Sequence, residues 1–303
     1  MNEVVFLKNK IRGAWDPIIK GYQSAFIKCG FTVREVEDVR SVKSDDYLFL
    51  KEWDVDESML SSISESKKTF LFVQPQHYDL PWGNHPNFIS NLDFNFRKEL
   101  ASLENIYKWT FADLRDKNFK NYYSEWGNVN SVPLAYDNIN YKEFENDNYG
   151  YDVCFIGGWA DNGFNEKKKL ILQTLKVFMN SDLKCGFFIN RGISHDAENK
   201  ILSNSRVCLN VHDKYQRKFG RDVNERTFKS LGLNGILVSD EINHQTHLFP
   251  EIKCSNNPES VLKYVKEYVN MDDDRLEKIK NKNKQNILTN HTYVNRVKQM
   301  LNE

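Results

Sequence analysis

Residues 207–240 read VCLNVHDKYQRKFGRDVNERTFKSLGLNGILVSD, and no other stretch limits the fold as tightly. Residues 207–211 form a short apolar run of strand length with β-branched character. A basic, turn-rich loop, residues 214–221, follows and ends at Phe219-Gly220. Residues 224–231 have the pattern of a helix, closed by Gly232 and Gly235. A second apolar run, residues 235–240, completes a strand–loop–helix–strand unit, which predicts a parallel sheet.

Arg217, Lys218, Arg221 and Arg226 crowd one strand-to-helix junction of this unit. A helix N-terminus carries unpaired N–H groups and about half a positive charge, so it attracts phosphate. Arginine adds a planar fork that grips phosphate oxygens in pairs. Open α/β sheets bind ligands in the crevice beyond the carboxyl ends of their strands. These features predict a pyrophosphate site. A solvated basic loop would show the same spacing.

The string Asn210 … Asn224-Glu225-Arg226-Thr227-Phe228 … Leu231-Gly232 … Gly235-Ile236-Leu237-Val238-Ser239-Asp240 resembles the donor-site signature of GT-B glycosyltransferases. The nearest branch is the spore-maturation-protein-like, "glycosyl transferases group 1" branch, and the phage DNA β-glucosyltransferase has a related layout. The resemblance covers about residues 152–296; the N-terminal half agrees in outline. It implies an α/β chain of the GT-B class: two Rossmann-like domains facing across a cleft, with a C-terminal helix crossing back to the N-terminal domain. It implies metal-independent transfer of a sugar, hexosyl in type, from a nucleotide-diphosphate sugar (a UDP-sugar) to a hydroxyl of a glycan, polysaccharide or small molecule, with no further cofactor. The donor residues it implies are Gly157, Gly158, Arg191, Asn210, Arg221, Arg226 and Lys229. One position departs from the pattern. The family carries Glu just after the aromatic residue, where it holds the nucleotide ribose; here that position is Lys229, which is assigned to phosphate.

A length of 303 residues predicts roughly two domains. Their expected bounds are an N-terminal acceptor domain 1–137, a polar linker 138–150, a donor domain 151–288 and a terminal helix 289–303. Lys plus Arg and Asp plus Glu each number 42, so the balanced chain has no overall electrostatic footprint for nucleic acid. The five cysteines are odd in number and scattered, and read as small buried hydrophobes in a reducing compartment. No apolar run approaches the ~18 residues of a membrane span, and the first residues lack a signal-peptide core. These features point to a cytoplasmic protein.

The N-terminal half alternates strands and helices, with strands at 3–7, 31–36, 47–50, 68–74 and 106–111. It lacks a GxGxxG fingerprint, so no dinucleotide cofactor is supported. Residues 75–88, PQHYDLPWGNHPNF, interrupt the alternation. Aromatic faces with polar neighbours suit a sugar ring, and an acid or imidazole there supplies a base. The acceptor residues are expected to be Tyr78, Trp82 and His85. In the phage glucosyltransferase an Asp stands three residues before a Leu-Pro; counting back from Leu80-Pro81 gives His77, and Asp79 is the other candidate base. A structural aromatic loop is the plain alternative. Residues 114–126 predict a helix, 132–137 a strand and 241–250 a loop. At Gly157-Gly158 a glycine pair lets backbone N–H groups approach phosphate, and a tight turn would need the same residues. His244 and His247 lack a third ligand, and Asp272 to Asp274 cap a Lys-rich helix, so no metal site is expected. Three other readings remain at this level: transfer to a modified base in DNA, a nucleotide-sugar-binding module without catalysis, and a sugar-nucleotide epimerase.

Overall fold

The computed structural model describes residues 2–8, 13–79, 88–144, 150–159 and 166–302. The chain divides into two compact units, Met1–Pro133 with Tyr293–Glu303, and Leu134–Thr292.

In the first unit the elements run β1 (Glu3–Leu7), α1 (Trp15–Lys28), β2 (Thr32–Val36), β3 (Tyr47–Lys51), α2 (Leu60–Glu65), β4 (Lys68–Phe72), α3 (Phe94–Ser102), β5 (Ile106–Thr110), α4 (Lys117–Lys120) and β6 (Asn130–Ser131). The strands form one parallel sheet in the order β2-β1-β3-β4-β5-β6. β1, β3 and β4 are each buried at four successive residues. Apolar runs of that kind belong to parallel strands covered on both faces. Two expectations change here. Residues 114–126 are not one helix: α4 gives way to a 3₁₀ turn, Asn121–Trp126, because Tyr122, Tyr123 and Trp126 all turn inward and Trp126 Nε1 donates to the Gln74 carbonyl at 2.9 Å. The strand expected at 132–137 stops early. Val132 N–H still reaches the Thr110 carbonyl at 2.8 Å, but Pro133 has no N–H to continue the ladder.

The second unit runs β7 (Tyr151–Gly157), α5 (Lys168–Met179), β8 (Cys185–Ile189), α6 (His195–Ser203), β9 (Ser205–Asn210), α7 (Lys214–Phe219), α8 (Glu225–Leu233), β10 (Leu237–Ser239), α9 (Asn243–Leu248), β11 (Lys253–Cys254), α10 (Pro258–Val269) and α11 (Asp273–Asn290). Its sheet is parallel, in the order β11-β10-β9-β7-β8. From β7 the chain adds β8 on one side and then β9 on the other. The topological switch point therefore lies between the ends of β7 and β9, where such sheets hold ligands. Two expected loops contain helices. Residues 214–221 fold as α7 because Asp213 and Gln216 form a capping box and Gly220, at φ 67°, closes the helix. Residues 241–250 hold α9. Gly232 lies inside α8 rather than ending it: a Cβ there would stand 2.5 Å from the Tyr136 ring. Gly235, at φ +87°, makes the turn into β10.

The last helix, α12 (Tyr293–Leu301), belongs to the first unit and packs on α1. Gly21 admits the Tyr293 ring, which a Cβ would meet at 2.4 Å. Arg296 Nε donates to the Pro133 carbonyl at 2.8 Å. No helix among the described residues is long and apolar enough to cross a membrane.

Candidate functional site

At the switch point of the second unit, β7 ends in Gly157, β9 ends in Asn210, and α8 begins with its guanidinium-bearing second residue, Arg226. Asn224 caps α8 by accepting the Thr227 N–H at 3.3 Å, which sets the direction of the first turn. Arg226 then reaches back over the end of β7. Its Nη1 lies 3.1 Å from Asn210 Oδ1, and its guanidinium carbon lies 5.4 Å from the Phe155 ring centre. Gly157 makes room: any Cβ there would stand 2.7 Å from Arg226 Nη2. Gly158 serves a different neighbour. A Cβ on it would fall 1.7 Å from Asn190 Oδ1, which accepts the Trp159 N–H at 3.0 Å.

A second cation, unread in the sequence, stands at this point. Lys167, just before α5, is buried and its Nζ lies 2.7 Å from Asp213 Oδ1. Burial lowers the pKa of Lys167, and the neighbouring Arg226 lowers it further against the pull of Asp213. Burial likewise lowers the pKa of Arg226, opposed by Glu198, Asp213, Glu225 and Asp240. Asp240, at the end of β10, is buried too; burial opposes its charge, but His212 and Arg217 hold its carboxyl below the usual range. Lys167 and Arg226 stand close enough for Arg226 to disfavour the Lys167 charge, and both feel the carboxylates of Asp213 and Asp240. Arg217 joins this face of the unit, with Nη2 donating to the Glu166 carbonyl at 3.0 Å. The sequence offered signals for two of these residues. Asn210 and His212 are two apart on extended chain and so share a face, and Lys167 opens a run of three lysines at a helix start.

The other expected donor residues fall into three groups. Arg221 is half-buried, and its carbonyl accepts from His244 Nδ1 at 3.0 Å, which shapes this turn. Arg191 is exposed two residues past β8, and the structure gives it no bond to the Arg226 set. Lys229 has partners of its own. It is buried, its Nζ is 2.6 Å from Glu198 Oε2, and it sits 4.2 Å from the centre of the Tyr141 ring. Its charge is balanced inside the unit by Glu198, as that of Lys167 is by Asp213. Tyr141, in the segment expected as linker, in turn donates its hydroxyl to Glu225 Oε1 at 2.6 Å.

In the first unit His77 and Asp79 are exposed and Tyr78 is buried. All three gather on Tyr122. Its ring lies 5.2 Å from His77 and 5.6 Å from Tyr78, and its hydroxyl donates to Asp79. Burial first, and then Asp79, push the Tyr122 phenol up to about 12. Trp82 and His85 lie outside the described residues. Asp272 caps α11, accepting the Arg275 N–H at 3.2 Å. Among the described residues no cluster of three His, Cys, Asp or Glu is placed to hold a metal ion.

Two parallel α/β units, one carrying a cation-lined switch point, define the GT-B class of sugar-transfer folds. The chain belongs to the glycosyl transferase-like family, whose sequence profile matches residues 148–302, just over half of its length. No curated protein matches it in sequence. Solved structures share the fold at low identity. An alpha-glucosyltransferase in complex with UDP-glucose and DNA containing an abasic site superposes with a TM-score of 0.64 at 13% identity, covering 100% of this chain and 98% of that one. The N-terminal domain of Candida albicans trehalose-6-phosphate phosphatase gives 0.60 at 8% identity, covering 99% and 96%. The pneumococcal O-GlcNAc transferase GtfA, in complex with UDP and GlcNAc, gives 0.53 at 10% identity, covering 87% of this chain and 58% of that one.

Proposed function

We propose that this glycosyltransferase takes its sugar, a hexose or N-acetylhexosamine, from a UDP-sugar held by the second unit, and that Arg226 and Lys167 grip the diphosphate. The observation that carries this reading is the pairing of these two cations at the switch point between β7 and β9. The choice of UDP is supported by two fold neighbours solved with UDP or UDP-glucose. Negative charge grows on the diphosphate as the sugar leaves, and fixed cations placed before the reaction stabilise that charge without reorganising. Asn210 holds the Arg226 fork in place, and Gly157 keeps the approach clear. Arg221 lies on the same turn system and is assigned to the outer face of the donor. The acceptor is assigned to the first unit, through His77, Tyr78 and Asp79, with His77 or Asp79 taking the hydroxyl proton if the anomeric centre inverts.

Release of UDP from UDP-glucose and from UDP-GlcNAc, with water as the surrogate acceptor, tests the donor half directly. A charge-assisted hydrogen bond contributes roughly 1.5–3 kcal/mol, so Arg226→Ala should lower the release rate about tenfold to a hundredfold. Equal rates in wild type and variant would remove Arg226 from the site.

One observation favours a second acceptor class. The alpha-glucosyltransferase solved with DNA matches this chain end to end, which suits a modified base in duplex DNA. Duplex binding that weakens steeply with salt would support this reading, and its absence at low salt would end it.

A further inference from the structure

His212 lies at the end of β9 with no exposed surface, and neither the family signature nor the donor reading uses it. Its ring joins Asp240 to Asn210, and Asn210 touches Arg226. The protonation of that chain follows from groups that can only donate. Arg226 has no acceptor, so the Asn210 atom 3.1 Å from its Nη1 is the carbonyl oxygen. The cap of α8 gives the same answer independently. The Thr227 N–H fixes the Asn224 oxygen at 3.3 Å. Asn224 Nδ2 therefore faces Asn210 Oδ1 at 3.1 Å, and Asn224 Oδ1 receives Asn210 Nδ2 at 3.0 Å.

Asn210 Nδ2 also stands 3.3 Å from His212 Nε2 and 3.0 Å from Thr227 Oγ1, so three acceptors share two amide hydrogens. Nε2 can accept there only when it is bare. The ring proton sits on Nδ1, 2.7 Å from Asp240 Oδ1. The His212 backbone N–H donates to both Asp240 oxygens, at 3.1 and 3.0 Å, so the residue is pinned at backbone and ring together. The charged groups facing this pair include Arg217, with Nε 3.9 Å from Asp240 Oδ2, Asp222, and the Lys167 and Arg226 cations that feel the Asp240 charge.

We propose that His212 is a positioning residue for Arg226: held by Asp240 as the neutral Nδ1–H tautomer, it accepts from the Asn210 amide and so keeps the Asn210 carbonyl oxygen on the Arg226 guanidinium. The role rests on the reading of Arg226 as the diphosphate ligand. A proton on Nε2 sets donor against donor and weakens the hold on the Asn210 amide that faces Arg226.

Two measurements test this. Long-range ¹H–¹⁵N correlation spectra of the wild-type protein should show His212 as the Nδ1–H tautomer; an Nε2–H tautomer or an imidazolium at neutral pH overturns the proposal. Calorimetric titration with UDP should show His212→Phe weakening the affinity about tenfold. His212→Gln, whose side-chain carbonyl restores an acceptor near the Nε2 position, should recover most of the loss. With Arg226→Ala already present, His212→Phe should cost nothing more, because coupled residues are not additive. A full, additive loss in that background overturns the proposal. If wild type does not bind UDP, the donor reading fails instead, and the ¹⁵N spectrum still decides the tautomer.

Discussion

Arg226 satisfies three neighbours at once: the Asn210 carbonyl oxygen, the Phe155 ring and the bare backbone of Gly157. Of these, only the Gly157 position can be filled without removing a partner. Gly157→Ala would place a methyl 2.7 Å from a guanidinium nitrogen, the far end of a flexible side chain, and 3.0 Å from the edge of the buried Phe155 ring, which must give by a few tenths of an ångström. The fold can yield there while the site cannot. The variant should keep its denaturation midpoint, with a stability change under about 1 kcal/mol, yet lose UDP affinity about as far as Arg226→Ala does. Matched UDP titrations and urea unfolding curves on the two variants check this. At this scale the sequence was only partly legible. Arg226, Gly157 and Asn210 stood out because their residue types match anion-binding chemistry. Lys167 and His212 did not, because the contacts that define them come from Asp213 and Asp240, which are 46 and 28 residues away in sequence.

The elements were read well where apolar runs are continuous and poorly where side chains override local pattern. The basic composition of α7 suggests a loop, although Asp213 and Gln216 carry a capping-box spacing. The 3₁₀ turn at residues 121–126 follows from three aromatic residues packing inward. Within α8, Lys229 shows how an element sets a residue's role. It lies one turn after Arg226 but on the face that meets α6, where Glu198 neutralises it. Breaking a buried pair leaves a stranded charge and costs about 3–5 kcal/mol when desolvation is complete; Glu198 keeps partial access to water, so Lys229→Ala should cost roughly 1–3 kcal/mol. UDP affinity should stay within about twofold of wild type. A loss of affinity as large as that of Arg226→Ala would return Lys229 to the diphosphate.

Across the whole molecule, the balanced charge of 42 cations and 42 anions hides strongly unequal local environments. Glu52 is the clearest in the first unit. It is 1% exposed, accepts the Gln74 N–H at 2.9 Å, and burial pushes its carboxyl up to about 8, opposed by that N–H bond. A carboxyl with a raised folded pKa binds its proton more tightly in the folded chain. Its contribution is fully present below the unfolded value, about 4.3, and is lost as pH rises through about 8. The stability of wild type relative to Glu52→Gln should therefore fall with rising pH across that window, by at most about 1.4 kcal/mol per pH unit. Paired urea unfolding curves at several pH values measure the difference, and a flat difference would contradict the account. The parallel, helix-covered sheets of both units were legible from strand periodicity, while the division of the chain depends on where α12 packs, which no local pattern encodes.

Arg226, with Lys167 beside it, is proposed to hold the diphosphate of a nucleotide sugar. A thermal-shift panel of nucleoside diphosphates, run on wild type beside Arg226→Ala, tests it most directly. A ligand at ~100 times its dissociation constant adds about 2.7 kcal/mol of stability. UDP should raise the melting temperature of wild type, and that of the variant by half as much or less, because a tenfold to hundredfold weaker site gains only about 0.4–1.4 kcal/mol at the same concentration. No shift with any nucleotide, or an equal shift in both proteins, would contradict the claim.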